Sequence, residues 1–376
     1  MDIKLKNLMI DIGRSARDSS YGLAKISNDK RNKAIFLIAE SIENNIKMLL
    51  EANAKDVESA NNKNLSSSLI DRLMLNEERI LSMASSMRVI TEIPDPINQI
   101  MEEWSRPNGL IIKRLSVPLG VIGIIYESRP NVTSDAAALC IKSGNAVILR
   151  GGSESFESNK AIHFCLKEGI KKAKLDESIA QLVPTRDRDA VGFMLSSMNN
   201  YIDVVVPRGG KNLVRRVQDE ARIPVIGHLE GICHIYVHHS ADFNITKKII
   251  LNAKMRRTGI CGAAETILID KKIAPQIVSK LADELERAGC EIRGDHEAQK
   301  YSNYIDEATD DDWSTEYLDA IISMKIVDDI GEAIQHISQY GSGHTDSIIS
   351  SNQEAVSYTH LRAHETRGNL VCRHMR

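Results

Sequence analysis

A cysteine between glycines is the clearest candidate for chemistry in this sequence. Cys261 has glycine two positions before it and directly after it, and Lys254, Arg256 and Arg257 lie a few residues upstream. Nearby cations favour the thiolate, which is the form of cysteine that attacks a carbonyl. An inert, buried cysteine is the alternative that this pattern leaves open. The six cysteines form no Cys-x-x-Cys pair, which argues against a structural zinc site and a disulfide framework.

Two turns from a strand into a helix carry glycines and a cation. One apolar run leads into Arg150, two glycines and Ser153, and a later run leads into Gly209 and Gly210. Backbone amides at a helix start, together with a guanidinium, suit a nucleotide phosphate or ribose. Neither turn has the G-x-G-x-x-G spacing of the common dinucleotide fold, so ordinary strand-to-helix turns remain the alternative.

Glu230 and a group of histidines precede the cysteine loop. Glu230 is either a general base or a solvated turn residue. Histidines 228, 234, 238 and 239 surround a predicted strand, in which alternate side chains face opposite ways. No acidic residue or cysteine supports them as ligands. The sequence therefore predicts no metal site.

The elements that must position these residues change type along the chain. Residues 1–95 show helical periodicity, and Asn108-Gly109 then marks a hairpin turn in an exposed ribbon, typical of an interaction arm. From residue 120 short apolar runs alternate with helical stretches, first around 121–126, 146–149, 179–183 and 202–206, then around 233–237, 265–269, 320–327 and 345–349. This alternation predicts an α/β fold with two successive Rossmann-like domains and mostly parallel sheets.

Composition narrows the class of protein. The 376 residues are 42% hydrophobic with a net charge of −3, and no apolar run approaches the roughly 20 residues that span a bilayer. The start lacks the apolar core of a signal peptide. These features, together with the unpaired cysteines, predict a cytoplasmic enzyme and neither a nucleic acid nor a membrane as partner.

Several stretches together resemble the gamma-glutamyl phosphate reductase (glutamate-5-semialdehyde dehydrogenase) family of the aldehyde dehydrogenase superfamily. The resemblance runs from the N-terminus to about Ala355, and it rests on residues 117–132 (VPLGVIGIIYESRPNV), 143–153, 206–212, 228–234, 252–266 and 340–345. It implies an NADPH-binding domain over 1–232 with a projecting oligomerisation arm at about 102–117, and a catalytic domain over 233–355. It also implies a homo-oligomer.

The resemblance implies a reaction as well. Cys261 falls at the nucleophile position, where it attacks L-glutamyl 5-phosphate, expels phosphate and leaves a thioester. Hydride from NADPH then yields L-glutamate 5-semialdehyde, the second step of proline biosynthesis. Oxidation of another small aldehyde, or an inactive chain, is the alternative.

The same resemblance assigns roles to further residues. Arg150 stands where relatives carry a lysine that contacts the adenine ribose, and its guanidinium suits the 2′-phosphate of NADPH. Ser153, Gly209 and Gly210 match the cofactor-facing turns, and Glu316 matches the residue that holds the nicotinamide ribose, although the usual Phe-Gly does not follow it. Glu230 matches the base of oxidising relatives, for which a reductase that releases phosphate has less use. The expected substrate-binding residues are Ser128, Arg129, Asn131, Lys254 and Arg257.

Two departures from the family pattern accompany the match. Gly262 stands where many relatives have asparagine. Residues 356–376 are basic, rich in histidine and unlike the glycine-rich family tail that completes the site and supplies a strand to the oligomer. This stretch resembles cloning read-through, and we expect the natural product to be longer.

Overall fold

The computed structural model describes residues 2–362, and the chain divides into two compact units, Met1–Gly227 and a second unit that begins at His228. Among the described residues, no helix is long and apolar enough to cross a membrane. Residues 363–376, which include most of the predicted atypical tail, lie outside the described residues.

The first unit begins with helices, as the sequence periodicity predicts. Ile35, Ile38 and Ile42 are fully buried on one face of the second helix, while the N-cap Asp2 accepts a hydrogen bond from the amide of Lys4 at the start of the first. The helices are α1 (Ile3–Leu23), α2 (Asn28–Asn44), α3 (Ile46–Asn62), α4 (Ser67–Leu73) and α5 (Glu77–Glu92).

An exposed antiparallel ribbon follows α5. Its strands are β1 (Ile100–Ser105) and β2 (Ile111–Leu115), and Trp104 pairs with Ile112. Gly109 has φ +85°, the left-handed conformation that glycine adopts at least cost and that this hairpin turn requires. The ribbon forms a two-stranded sheet of its own, which confirms the predicted hairpin.

A four-stranded parallel sheet forms the centre of the first unit. Its strands run in the order β5-β4-β3-β6 and alternate with helices in sequence. The elements are β3 (Val121–Tyr126), α6 (Val132–Lys142), β4 (Ala146–Arg150), α7 (Phe156–Lys172), β5 (Ala180–Leu182), α8 (Asp189–Ser197), β6 (Val204–Arg208) and α9 (Lys211–Glu220). The chain moves outward from β3 to β5 and then returns to the other side of β3. The strand order therefore reverses between β3 and β6, which is where open α/β sheets bind ligands.

The second unit contains a parallel sheet in the order β10-β9-β11-β8-β7-β12. All seven residues of its central strand β8 are buried, because helices cover both faces of such sheets. The elements are β7 (Cys233–Val237), α10 (Phe243–Met255), β8 (Ala264–Asp270), α11 (Ala274–Arg287), β9 (Glu291–Gly294), α12 (His296–Gln299), β10 (Ile305–Glu307), β11 (Ile321–Val327), α13 (Ile330–Tyr340), β12 (Asp346–Ile349) and α14 (Gln353–Arg362). The predicted two-domain α/β class is confirmed.

Candidate active site

Glu127 and the Gly209-Gly210 turn meet at the strand-order reversal of the first unit. The amide of Gly210, which precedes α9, donates to Glu127 Oε2 at 2.9 Å. A Cβ atom at Gly209 would lie 2.5 Å from the same oxygen, so a larger residue there would have to displace the carboxylate of Glu127. Backbone amides at the start of α9 can therefore bind an anionic group, and in this structure that group is the carboxylate of Glu127.

Arg150 ends β4 with its guanidinium buried. Only 6% of the residue is exposed. One terminal nitrogen donates to the carbonyl of Gly151, and the other donates to the carbonyls of Arg186 and Asp187 at 3.3 and 3.2 Å. Its Nε is buried and has no partner among the described residues. Burial lowers the pKa of Arg150, an effect that nearby Glu154 opposes. A bidentate contact with phosphate would require release of these carbonyls.

Ser153 opens the turn from β4 into α7. Its hydroxyl donates to Glu154 Oε1 at 3.2 Å, and a Cβ at Gly152 would lie 2.3 Å from the other oxygen of Glu154. The backbone of this turn is therefore held tightly against its own acidic side chain.

Ser128, Arg129 and Asn131 lie in the turn between β3 and α6. Ser128 has φ +49°, a conformation that costs a non-glycine residue and that surrounding structure must enforce. Asn131 donates from its side-chain amide to Asp135 at 2.9 Å. These three residues therefore share one edge of the first unit with Arg150 and Gly209.

Cys261 lies on the loop between α10 and β8 of the second unit. Its carbonyl accepts a hydrogen bond from the thiol of Cys233 at 3.2 Å. A Cβ atom at Gly231 would lie 1.9 Å from that carbonyl oxygen and 2.8 Å from the Cα of Cys261. The Cys261 loop therefore packs directly against the backbone of Gly231. Any side chain at position 231 would displace the loop.

Exposure separates Cys261 from the other described cysteines. Cys261 is partly exposed, whereas Cys140, Cys165, Cys233 and Cys290 are buried. Burial raises the pKa of Cys140 and Cys233 to about 12 and that of Cys165 and Cys290 to about 11. These four thiols stay protonated near neutral pH, so they are poor nucleophiles. Cys372 lies outside the described residues.

Glu316 is brought to the same backbone by a loop before β11. Its Oε1 accepts the amide hydrogen of Gly231 at 2.9 Å. Leu318 has φ +53°, so this loop holds a non-glycine residue in the left-handed conformation. Glu230, beside Gly231, is partly buried. The structure therefore brings Glu230, Glu316 and Cys261 together within the second unit.

Lys254 faces away from solvent. Its ammonium lies 2.6 Å from Glu265, and both side chains are fully buried. Burial raises the pKa of Glu265, and the ion pair with Lys254 opposes that effect. Because its charge is already paired, this geometry does not support a direct substrate contact by Lys254. Arg257, by contrast, is exposed.

Sequence reasoning assigned no role to Glu127, Gly231 or Cys233, which hold the two sites in place. All three stood inside motifs that carried the family resemblance, but their contacts join segments far apart in sequence. The segment 341–345 is a fourth contributor, since the hydroxyl of Ser342 accepts the amide hydrogen of Ile232 at 3.0 Å.

Comparison with known proteins decides the family. The aldehyde dehydrogenase family model matches residues 9–312. The gamma-glutamyl phosphate reductase of Rhodopseudomonas palustris strain HaA2 is 51% identical over 354 residues, which cover 94% of this chain and 82% of that protein. The chain belongs to the gamma-glutamyl phosphate reductases of the aldehyde dehydrogenase family.

Solved structures agree with this membership. A gamma-glutamyl phosphate reductase from Thermotoga maritima matches with a TM-score of 0.89 and 38% identity, over 96% of this chain and 87% of that one. An engineered glycolyl-CoA reductase with bound NADP+ matches with a TM-score of 0.65 at 16% identity, over 96% of this chain and 86% of that one, which shows the shared fold. The chain is an aldehyde-group oxidoreductase, and the aldehyde dehydrogenase family implies a nicotinamide cofactor.

Proposed function

We propose that this chain reduces L-glutamyl 5-phosphate to L-glutamate 5-semialdehyde with release of phosphate, using NADPH, as the second step of proline biosynthesis. The observation that carries the proposal is Cys261, the partly exposed thiol among the described cysteines, on a loop that Gly231 and Cys233 hold in place. Relatives about half identical to it are named for this reductase.

In the proposed reaction, the Cys261 thiolate attacks the acyl carbon and forms a carbon–sulfur bond. The tetrahedral oxyanion then collapses, and the bond to the phosphate oxygen breaks. The resulting thioester divides one difficult reduction into two easier steps. After reduction the carbon–sulfur bond breaks, which releases the aldehyde and restores the thiolate.

The residues of the first unit fit a nicotinamide nucleotide. Gly209 and Gly210 expose their backbone at a helix start, and Arg150, at the same edge of the sheet but two strands away, keeps a buried, unpaired Nε. When bound, the cofactor supplies the hydride. We propose Arg150, Ser153 and the two glycines as its protein contacts, and NADPH over NADH because a guanidinium favours an additional phosphate.

The remaining proposed roles, in substrate and ribose binding, are those that the family resemblance implies for polar side chains. We propose Arg257 for the charged substrate, together with Ser128, Arg129 and Asn131, and Glu316 for the nicotinamide ribose. Glu230 has no required proton transfer, since phosphate rather than activated water is the partner of the thioester.

We further propose a cytoplasmic homo-oligomer that uses the β1–β2 ribbon. Ile100, Met101, Ile111 and Leu115 are exposed on this ribbon, and contact with a second copy would cover them. Light scattering measures the mass of the unsubstituted protein and of an Ile111→Lys, Leu115→Lys variant. An unchanged mass would exclude the ribbon as the interface.

One assay tests the proposed reaction in reverse. Purified protein is mixed with glutamate semialdehyde and NADP+, with and without inorganic phosphate, and NADPH formation is recorded. We expect turnover that requires phosphate, because phosphate must attack the thioester to release the acyl group. Equal turnover without phosphate would identify a hydrolytic aldehyde dehydrogenase instead.

A further inference from the structure

Side chains typical of metal ligands converge around Cys261 within the second unit. His228, Cys261 and His344 each offer a ligand atom, and these three atoms lie within 4.8 Å of one another. The Sγ of Cys233 lies 3.7 Å from Nδ1 of His344. Three segments far apart in sequence, before β7, β8 and β12, therefore bring two imidazoles and two sulfur atoms to one place.

The spacing is close to that of a tetrahedral zinc site. With Zn–N of about 2.0–2.1 Å and Zn–S of about 2.3 Å, ligand atoms around zinc are roughly 3.4–3.8 Å apart. The three atoms, which are at most 4.8 Å apart, therefore need to approach one another by up to about 1.4 Å. The rings of His228 and His344 already meet edge to face, with centroids 4.3 Å apart.

Access and orientation also suit a metal ion. His228 is exposed, and Cys261 and His344 are partly exposed, so an ion from solvent reaches all three side chains. Nδ1 of His344 is 2.9 Å from the hydroxyl of Thr345, a contact that fixes the orientation of the ring. Such a neighbour holds a ligating histidine in one tautomer.

We propose that His228, Cys261 and His344 form a binding site for a borderline-soft divalent cation of the zinc type, which reversibly inactivates the enzyme. Two imidazoles and one thiolate select zinc over magnesium or calcium. Water fills the fourth position. As the sulfur–metal bond forms, the Cys261 thiol releases its proton to solvent, and a chelator reverses the exchange. Only the inactivation, not the metal binding, rests on the proposed role of Cys261.

Cobalt serves as a spectroscopic probe for the site. Metal-free protein is titrated with Co²⁺, and the near-ultraviolet sulfur-to-cobalt charge-transfer band is recorded. We expect a band that saturates at one equivalent, is absent in Cys261→Ser, and is displaced by Zn²⁺. The His238–His239–Asp270 group, which also has ligand spacing, contains no sulfur and gives no such band.

The histidines are tested one at a time. His228→Ala and His344→Ala should each weaken cobalt binding by at least about tenfold, whereas His296→Ala, an exposed histidine on α12, leaves it unchanged. Zinc inhibition of each variant, measured against that variant's own rate, should weaken in the same proportion, and a chelator should restore activity.

Separate outcomes overturn the separate claims. A cobalt band that persists in Cys261→Ser, or affinity that neither histidine variant changes, would refute the metal site. Metal binding at Cys261 without loss of phosphate-dependent turnover would refute the nucleophile assignment and leave the site intact. Phosphate-dependent turnover that zinc does not affect, in protein that also gives no cobalt band, would leave the proposed function standing and refute both the metal site and its inhibitory role.

Discussion

Substitution of Gly231 should misplace the Cys261 loop without unfolding the protein. The added Cβ of Gly231→Ala would lie 1.9 Å from the carbonyl oxygen of Cys261, against an ordinary contact of at least 3.4 Å. Because the obstacle is backbone rather than a flexible side chain, the loop must move by about 1.5 Å. A displacement of about 1 Å at a reacting group costs about 100-fold in rate, so we expect kcat to fall by at least about 100-fold.

A glycine on the Cys261 loop itself supplies the control. A Cβ at Gly259 would meet only the carbonyl oxygen of Leu318, at 3.6 Å, which is an ordinary contact. Gly259→Ala should therefore retain kcat within about threefold, since nothing must move to admit the methyl group. The assay is phosphate-dependent NADPH formation, with circular dichroism and cofactor binding to show that both variants are folded. Equal activity of the two variants would refute the claim that Gly231 seats the nucleophile.

Three further predictions concern charge and burial. Arg150→Ala should weaken NADPH binding by about 1.5–3 kcal/mol, or roughly 10- to 150-fold in Kd, and should weaken NADH binding much less. Equal losses of affinity for both cofactors, measured by calorimetry, would mean that Arg150 only holds the carbonyls of Arg186 and Asp187. Lys254→Met should lower the free energy of urea unfolding by about 3–5 kcal/mol, because the carboxylate of Glu265 is left buried without its ion-pair partner. Adding Glu265→Gln to that variant should recover part of the loss. Burial lowers the pKa of His336 from 6.5 to about 3, so the folded protein keeps this side chain neutral while the unfolded chain takes up a proton below pH 6.5. The free energy of unfolding should therefore fall by about 2 kcal/mol by pH 5. Unfolding of His336→Phe over the same pH range should lack that part of the pH dependence.

Apolar runs predicted most of the sheets, because parallel strands buried on both faces read as continuous hydrophobic stretches. The four strands of the parallel sheet in the first unit and β7, β8, β11 and β12 of the second were found this way. Strands β9 and β10 were missed: they are only four and three residues long, and Glu291 and Arg293 interrupt the apolar pattern of β9. So short a run, broken by charged residues, carries little periodic signal.

Within the sites, local features were predictable and long-range contacts were not. The glycine-flanked Cys261 and the Gly209-Gly210 turn are visible in sequence. Other contributions depend on tertiary contacts between residues 28 to 83 positions apart in sequence. They are the packing of the Cys261 loop on Gly231, the thiol of Cys233 and the carboxylate of Glu127. Lys254 shows that nearness in sequence does not fix direction, because its helix directs the ammonium to Glu265.

Replacement of Cys261 by serine tests the central claim most directly. Phosphate-dependent NADPH formation and NADPH binding are measured on the same preparations of Cys261→Ser and of Cys290→Ser, a buried thiol that serves as control. A serine hydroxyl is far less ionised than a thiol near neutral pH, so we expect turnover of Cys261→Ser to be lost and cofactor affinity to be nearly unchanged. Cys290→Ser should retain turnover. If Cys261→Ser kept even about a tenth of the activity, Cys261 would not be the nucleophile.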